Sequence, residues 1–329
     1  MDQHHQSLAV QPRVEDIVVR PKLRVLLAAP RGFCAGVRRA IDGVEAALER
    51  YGAPVYVRRP IVHNLAVVRA LEAKGAIFVE ELEEVPDGSV VIMSAHGIPR
   101  HVAAEADGRA LTWFDAVCPL VAKVHREVAR HHGEGRHVIL IGHRGHPEIA
   151  GTLGQLPAGA ATVVSSAAEV AALDFAADRP IAYAVQTTYS VDEAAGIIAA
   201  VTARFGDVAA PPRSDICYAT TNRQAALRAI AAEVDAVIVA GAHFSSNACR
   251  LAEVARAAGC PSVQFVAGPA ELDFTMLRES RSLGVSAAAS TPEASVSDIL
   301  AALAVHFDLE IDEAAQISEQ TVFKPLRIA

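Results

Sequence analysis

The segment RVLLAAPRGFCAGVRRAIDGVEAALERYG, residues 24–52, carries a short apolar run into a cysteine and then into an amphipathic helix. Val37, Ile41, Val44, Ala47 and Leu48 follow the three-and-four spacing of one helix face, so Cys34 falls at a strand-to-helix turn. Two further stretches repeat the arrangement: LTWFDAVCPLVAKVHREVARHHGEG at 111–135 and SDICYATTNRQAALRAIAAEV at 214–234 put Cys118 and Cys217 at the start of helical patterns. At a helix N-terminus, unpaired backbone N–H groups and the helix dipole favour a thiolate, which suits metal binding or nucleophilic chemistry. Taken singly, each cysteine is more often a small buried hydrophobe. Their shared placement points instead to three units that present one thiol each to a common centre. Cys249 and Cys260 have no such setting and are read as bystanders.

Outward from these stretches, apolar runs alternate with helical patterns almost to the end of the chain. The runs are 24–29, 55–57, 90–94, 138–142, 181–185, 236–241, 262–266 and 283–289. Such alternation predicts an α/β fold with mostly parallel sheets. Cysteine spacings of 84 and 99 residues suit three units of ordinary domain size. The expected division is a loose polar arm over 1–21, α/β domains at 22–111, 112–212 and 213–305, and a tail over 306–329 that packs back on the body through Val322 and Phe323.

Composition agrees and excludes several classes. Of 329 residues, 52% are hydrophobic but only 5% aromatic, which fits Ala-, Val-, Leu- and Ile-packed sheets covered by helices. A formal charge of −8 argues against a general nucleic-acid binder. Five cysteines give no disulfide framework, and no apolar run approaches the ~18 residues of a membrane span. With no signal-peptide core at the N-terminus, a reducing cytoplasm is the expected location.

Polar clusters follow the predicted strands, where open parallel sheets bind ligands. They are Ile61-Val62-His63-Asn64, Ala95-His96-Gly97, His143 to Glu148, Gln186-Thr187-Thr188, Ala242 to Asn247 and Ser290 to Glu293. Histidines, hydroxyls and an amide at helix starts suit an anion, phosphate above all. Helix capping alone would also account for Ser190 with Glu193, for Ser290 with Glu293, and for Ser245, Ser246 and Asn247. A lone histidine in a loop is more often a surface or core residue, but His63, His96 and His146 at equivalent turns are harder to dismiss, whereas His4, His5, His131, His132 and His137 read as solvated surface. Glu148, embedded in the His143 to Glu148 cluster, is the leading proton donor. Three thiols with no close pair do not match structural zinc, which draws four ligands from close pairs. Iron–sulfur clusters also favour close spacing, so spacing leaves both metals open.

The motifs PRGFCAGVRRAI (30–41), IVHN (61–64), SAHG (94–97), DAVCPLVAKVH (115–125), GHRGHPE (142–148), QTTYSVD (186–192), ICYATTNRQ (216–224) and SSN (245–247) occur together. In that combination the chain, from about residue 23 to 325, resembles the 4-hydroxy-3-methylbut-2-enyl diphosphate reductases, the LytB-type enzymes of the non-mevalonate isoprenoid pathway. The resemblance implies three α/β domains arranged as a trefoil around a 4Fe-4S cluster with one open iron site, held by Cys34, Cys118 and Cys217. It implies reductive removal of a substrate hydroxyl, and a ferredoxin or flavodoxin as electron donor. His63, His96, His146, Thr188, Ser245, Ser246, Asn247 and Ser290 would bind the diphosphate, the histidines as cations; Glu148 would deliver protons and Thr187 would order the hydroxyl or a relay water.

Three places depart from the family pattern. Arg59-Pro60 replaces a common His-Glu, His243 a common Lys, and Ala288 a common Gly. Pro60 is expected to alter the approach to His63. The competing readings are a paralogue with changed substrate tolerance, a cluster-bearing regulatory or RNA-associated protein without turnover, and a hydrolytic zinc enzyme using the three thiolates.

Overall fold

The computed structural model describes residues 20–314 and 317–328, so the arm expected over 1–21 lies almost wholly outside the described residues, as do His4 and His5. The chain runs through β1 (Lys22–Leu27), α1 (Ala35–Tyr51), β2 (Val55–Arg58), α2 (Leu65–Glu72), β3 (Ala76–Val79), β4 (Val90–Met93), α3 (Arg100–Gly108) and β5 (Thr112–Asp115). It continues with α4 (Pro119–Gly133), β6 (His137–Ile141), α5 (Pro147–Leu153), β7 (Ala161–Val164), α6 (Ala167–Ala171), β8 (Ile181–Val185), α7 (Val191–Arg204) and β9 (Val208–Ala209). The last third supplies α8 (Tyr218–Ala231), β10 (Ala236–Ala240), α9 (Ser246–Ala257), β11 (Ser262–Val266), β12 (Ser282–Ala287), α10 (Glu293–His306) and β13 (Asp308–Glu313).

Among the described residues the strands form three sheets, ordered β11-β10-β12-β1-β13, β3-β2-β4-β5 and β7-β6-β8-β9. All pairings are parallel, as the strand–helix alternation predicts. Central strands β6 and β10 are buried along their whole length because helices cover both faces. Leu227 and Ile230 of α8 and Leu251 and Ala255 of α9 pack on Val237 and Val239 on one side, while Val296, Ile299 and Leu303 of α10 cover Ile238 and Val285 on the other. No helix among the described residues is long and apolar enough to cross a membrane.

Strand pairing cuts across the expected division of the chain. β1 pairs with β12 (Arg24 opposite Ser282), and β13 pairs with β1 (Lys22 opposite Asp308). The first and last strands of the described chain therefore belong to the same five-stranded sheet. Immediately afterwards, α1 packs Ala40, Val44 and Ala47 on Val55, Val57 and Ile92 of a different sheet. Cys34 thus sits where the chain crosses from one module to another. β5, beyond the expected cut at 112, pairs with β4. Parallel partners are set by non-local pairing, which local periodicity does not carry.

The C-terminal segment does return to the body, but through other residues than expected. Val322 is 88% exposed, while Leu326 and Ile328 pack against the core beneath α1. Leu326 fills the space that Gly43 leaves, its Cδ2 only 2.8 Å from where a Cβ would stand.

Candidate active site

All three expected cysteines are N-cap residues. The Cys34 sulfur accepts from Val37 N at 3.4 Å ahead of α1, the Cys217 sulfur accepts from Thr220 N at 3.4 Å ahead of α8, and Cys118 precedes α4 with Pro119 in the first turn. The chain reversals bring the three thiols into one cavity, which encloses about 700 Å³ of empty space including its open mouth. His63, His96, His146, Glu148, Thr187, Thr188, Ser245, Ser246, Asn247 and Ser290 line the same cavity, so every site residue expected from the sequence converges there. Gly36 makes this close approach feasible: a Cβ there would stand 2.9 Å from the Cys118 sulfur and 3.7 Å from that of Cys34.

Cys118 and Cys217 are not the activated thiolates that their helix N-termini alone would suggest. Burial pushes Cys118 up to about 12 and Cys217 up to about 11, and neighbouring thiols push the same way. Desolvation outweighs the N-cap hydrogen bonds, so only a bound cation would deprotonate these sulfurs near neutral pH. No three His, Cys, Asp or Glu side chains among the described residues converge as a single-ion site. Three sulfurs from three elements around one cavity form a soft donor set of the kind that suits a thiophilic metal centre.

The polar wall of the cavity is built around three stacked imidazoles. His63 and His96 lie face to face with ring centroids 4.2 Å apart, and His146 meets them edge-on at 5.4 and 5.8 Å. Burial pushes His63 down to about 4 and His146 down to about 3, and burial together with the neighbouring imidazoles holds His96 well below the usual range. The pocket's own surroundings therefore favour neutral rings rather than the cations expected from sequence. An entering anion would draw protons onto them.

Capping and ligand contact turn out to coexist. Ser245 caps α9 by accepting from Ala248 N at 3.4 Å and still lines the cavity. Ser290 does not cap α10, whose N-cap is Pro292; its hydroxyl lies 3.3 Å from the Ser245 hydroxyl and 3.3 Å from the His63 carbonyl. Ser190 does cap α7, accepting from Glu193 N at 3.4 Å, and stays outside the cavity. Asn247 is buried with neither its Oδ1 nor its Nδ2 partnered. An orphaned amide lining a cavity has the form of a ligand contact awaiting its partner.

Glu148, 3% exposed, accepts from Thr187 N at 2.6 Å and from the Thr187 hydroxyl at 2.8 Å. Burial pushes its carboxyl up to about 7, outweighing the two Thr187 hydrogen bonds, and Asp215 adds to the rise. A carboxyl that titrates near neutrality beside three thiols can both give and take a proton. Thr187 O also accepts from Cys217 N at 3.0 Å, tying the acid to the thiol turn.

Several contributors carried no assigned role in the sequence reading. Gln186 accepts from His143 N at 2.9 Å and donates to Thr188 at 2.9 Å and Ser246 at 3.4 Å, joining two modules behind the pocket. Arg223, 1% exposed, binds Gly32 O at 3.0 Å and Glu319 at 2.9 Å. Buried Asp215 accepts from Lys123 at 3.1 Å and Val185 N at 3.0 Å. Their partners lie far along the chain, and no local pattern marks them. His131 and His137, expected on the surface, are buried; His137 lies 2.9 Å from Thr162 and is edge-packed on Phe175.

None of the three departures from the family pattern lines the cavity. Arg59 adopts a positive φ of 60° and pairs with Glu81 at 2.7 Å. His243 is exposed and faces Glu271 at 2.8 Å, and Ala288 is buried in the core near Gly241. Cys249 and Cys260 also stay outside the cavity.

Three parallel-sheet modules close on one pocket with a thiol wall, a histidine–hydroxyl wall and one neutral-poised carboxyl group, the make-up of an α/β enzyme site. The "LytB protein" family matches residues 25–304. The chain belongs to the LytB family. It is 52% identical over 308 residues to the 4-hydroxy-3-methylbut-2-enyl diphosphate reductase of Beijerinckia indica subsp. indica, covering 93% of this chain and 96% of that protein. It is 50% identical over 309 residues to the same-named enzyme of Paracoccus denitrificans, covering 94% and 98%. Its fold matches the E-1-hydroxy-2-methyl-but-2-enyl-4-diphosphate reductase from Plasmodium falciparum at a TM-score of 0.87 and 36% identity, covering 93% of this chain and 96% of that chain. A second structure, of (E)-4-hydroxy-3-methyl-but-2-enyl diphosphate reductase, the terminal enzyme of the non-mevalonate pathway, matches at a TM-score of 0.62 and 30% identity, covering 86% of this chain and 99% of that one.

Proposed function

We infer that this chain is a 4-hydroxy-3-methylbut-2-enyl diphosphate reductase, an oxidoreductase of the non-mevalonate isoprenoid pathway. It removes the C4 hydroxyl of an allylic diphosphate with two electrons and two protons, releasing water and giving isopentenyl and dimethylallyl diphosphate. The observation that carries the reading is the union of an orphaned-amide and histidine wall, a neutral-poised carboxyl group and three thiols in one cavity.

The diphosphate would lie against His63, His96, His146, Ser245, Ser246, Asn247 and Ser290. Proton uptake by the imidazoles offsets its charge without any Lys or Arg in the lining. The short carbon chain would run over Val37, Val62, Ala95 and Val121, which exclude water from the reacting end. Cys34, Cys118 and Cys217 would hold a 4Fe-4S cluster. When bound, this group would supply electrons singly and a Lewis-acidic iron.

The chain's own acid then acts at that end. Protonated Glu148 donates toward the departing hydroxyl, which leaves as water, and recovers its proton from solvent. Thr187 holds the Glu148 carboxyl through its N–H and hydroxyl, and Thr188 fixes the neighbouring polar wall through Gln186 and Ser246. The reading is tested by anoxic purification, iron and sulfide assay, and turnover of the diphosphate with a strong small-molecule reductant. Absence of iron and sulfide, or of substrate consumption after reconstitution, would sink it.

A further inference from the structure

The cavity wall that would face a diphosphate contains no Lys or Arg, yet two guanidiniums sit at the strand end that supports it. β2 and β4 are neighbours, with Arg58 opposite Met93, so the chain leaves the sheet beyond them along two adjacent paths. One path runs from Arg59 to Val62 and His63, the other from Ser94 to His96, and the two histidine rings stack at 4.2 Å. Arg59 is fixed at the root of its path by donating its N–H to Val79 O at 2.6 Å. Its φ of 60° is a left-handed conformation that few non-glycine residues adopt, and strain of this kind gathers at functional sites.

The charges around Arg59 do not cancel. Arg58 and Arg59 share one carboxylate, Glu81, which accepts from Arg59 at 2.7 Å and also from Arg58. The side chains of Arg58 and Arg59 are 6% and 29% exposed and that of Glu81 49%, so the cations lie inward and their counter-charge lies toward solvent. Each arginine also keeps a buried Nε without a partner. Glu80, Glu83 and Glu84 are exposed, and among the described residues none of them pairs with either arginine. Water and salt screen such exposed carboxylates more than a largely buried guanidinium. The imidazole wall feels the excess: burial first, then His63 and His146, then Arg59 press the His96 ring toward its neutral form. A positive field that resists a proton there favours an anion.

Resting on the proposed function, we propose that Arg59 is an affinity-determining residue of the diphosphate site. Its guanidinium supplies, from behind the imidazole wall, the fixed positive charge that the lining itself lacks, and Glu81 sets how much of that charge reaches the anion. Arg59 touches neither the substrate nor the reacting atoms; it acts through the field at His96 and His63.

The test uses anoxic holoprotein, with inorganic diphosphate as the probe in titration calorimetry and the allylic diphosphate in steady-state kinetics. Arg59→Gln is expected to weaken diphosphate binding roughly fivefold, the scale of one partly screened charge, and to raise KM by the same factor with little change in kcat. Arg59→Lys, which keeps the charge, should restore most of the wild-type affinity. Glu81→Gln leaves both guanidiniums without their counter-charge and should tighten binding roughly threefold. The opposite signs separate a field from a brace, because a pair that only props the turn would be weakened alike from either side. Binding by Arg59→Gln equal to that of wild type, or binding weakened by Glu81→Gln as it is by Arg59→Gln, overturns the proposal. Wild-type protein that binds no diphosphate would count against the proposed function itself, and the role of Arg59 would fall with it.

Discussion

Replacing Glu148 by Gln isolates the group on which proton delivery depends. Burial raises this carboxyl from an ordinary 4.5 to about 7, so the folded protein binds the proton more tightly than the unfolded chain. The sign follows: its favourable contribution is complete below pH 4.5 and is lost as pH rises through 7. A displacement of that size corresponds to about 3 kcal/mol of differential stability across the window. Gln keeps one acceptor for Thr187 N and lets the Thr187 hydroxyl turn round to accept, but it cannot ionise. The metal-free variant is therefore expected to gain about 3 kcal/mol relative to wild type between pH 4.5 and 8, measured by urea unfolding at several pH values. Difference infrared spectroscopy should show a protonated carboxyl band that titrates near neutrality in wild type and is absent from the variant. In the holoenzyme, turnover should fall by roughly two orders of magnitude or more, the scale of general-acid loss, with iron content retained. A stability difference that does not change with pH, or a wild-type band that disappears near pH 4, would refute the reasoning.

Three neutral, low-pKa imidazoles should each take up protons when diphosphate enters. Calorimetry of inorganic diphosphate in buffers of different ionisation enthalpy is expected to show net proton uptake at pH 7 and weaker binding as pH rises; proton-neutral binding would contradict the assignment. Asn247→Leu removes two buried unpaired polar atoms, so it should raise metal-free stability by about 1 kcal/mol while raising KM for the diphosphate at least tenfold, checked by thermal melting and steady-state kinetics. Glu319→Gln removes the counter-charge of the buried Arg223 guanidinium while leaving its bonds to Gly32 O and Ala219 O, a loss of about 3 kcal/mol. The thermal midpoint should fall by several degrees, and limited proteolysis should release the segment beyond residue 317 first.

How much of this was legible beforehand depends on what each residue's neighbours are. The cysteine turns were legible because a cap, a thiol and a helical stripe sit within a few residues of one another, and the structure places all three at N-caps. Strands β3, β5, β7, β9 and β13 lay outside the eight apolar runs, and every one of them is an edge strand. An edge strand is covered on fewer sides, so it tolerates a polar sequence such as DLEIDE in β13 and leaves the apolar Ile77 of β3 exposed. Its identity comes from a partner elsewhere in the chain.

The sequence by itself determined the α/β class, the three thiol turns and the residue types around them, because caps, amphipathic periodicity and post-strand polar clusters are local and short-range. Only the tertiary structure decided the protonation of the site. Burial turned thiols at helix N-termini into weak acids, made the histidines neutral and brought Glu148 to neutrality, because desolvation depends on everything packed around a group. It also decided that β1 and β13 join the five-stranded sheet while α1 packs on another, the crossing that places Cys34 between the central cavity and an outer groove.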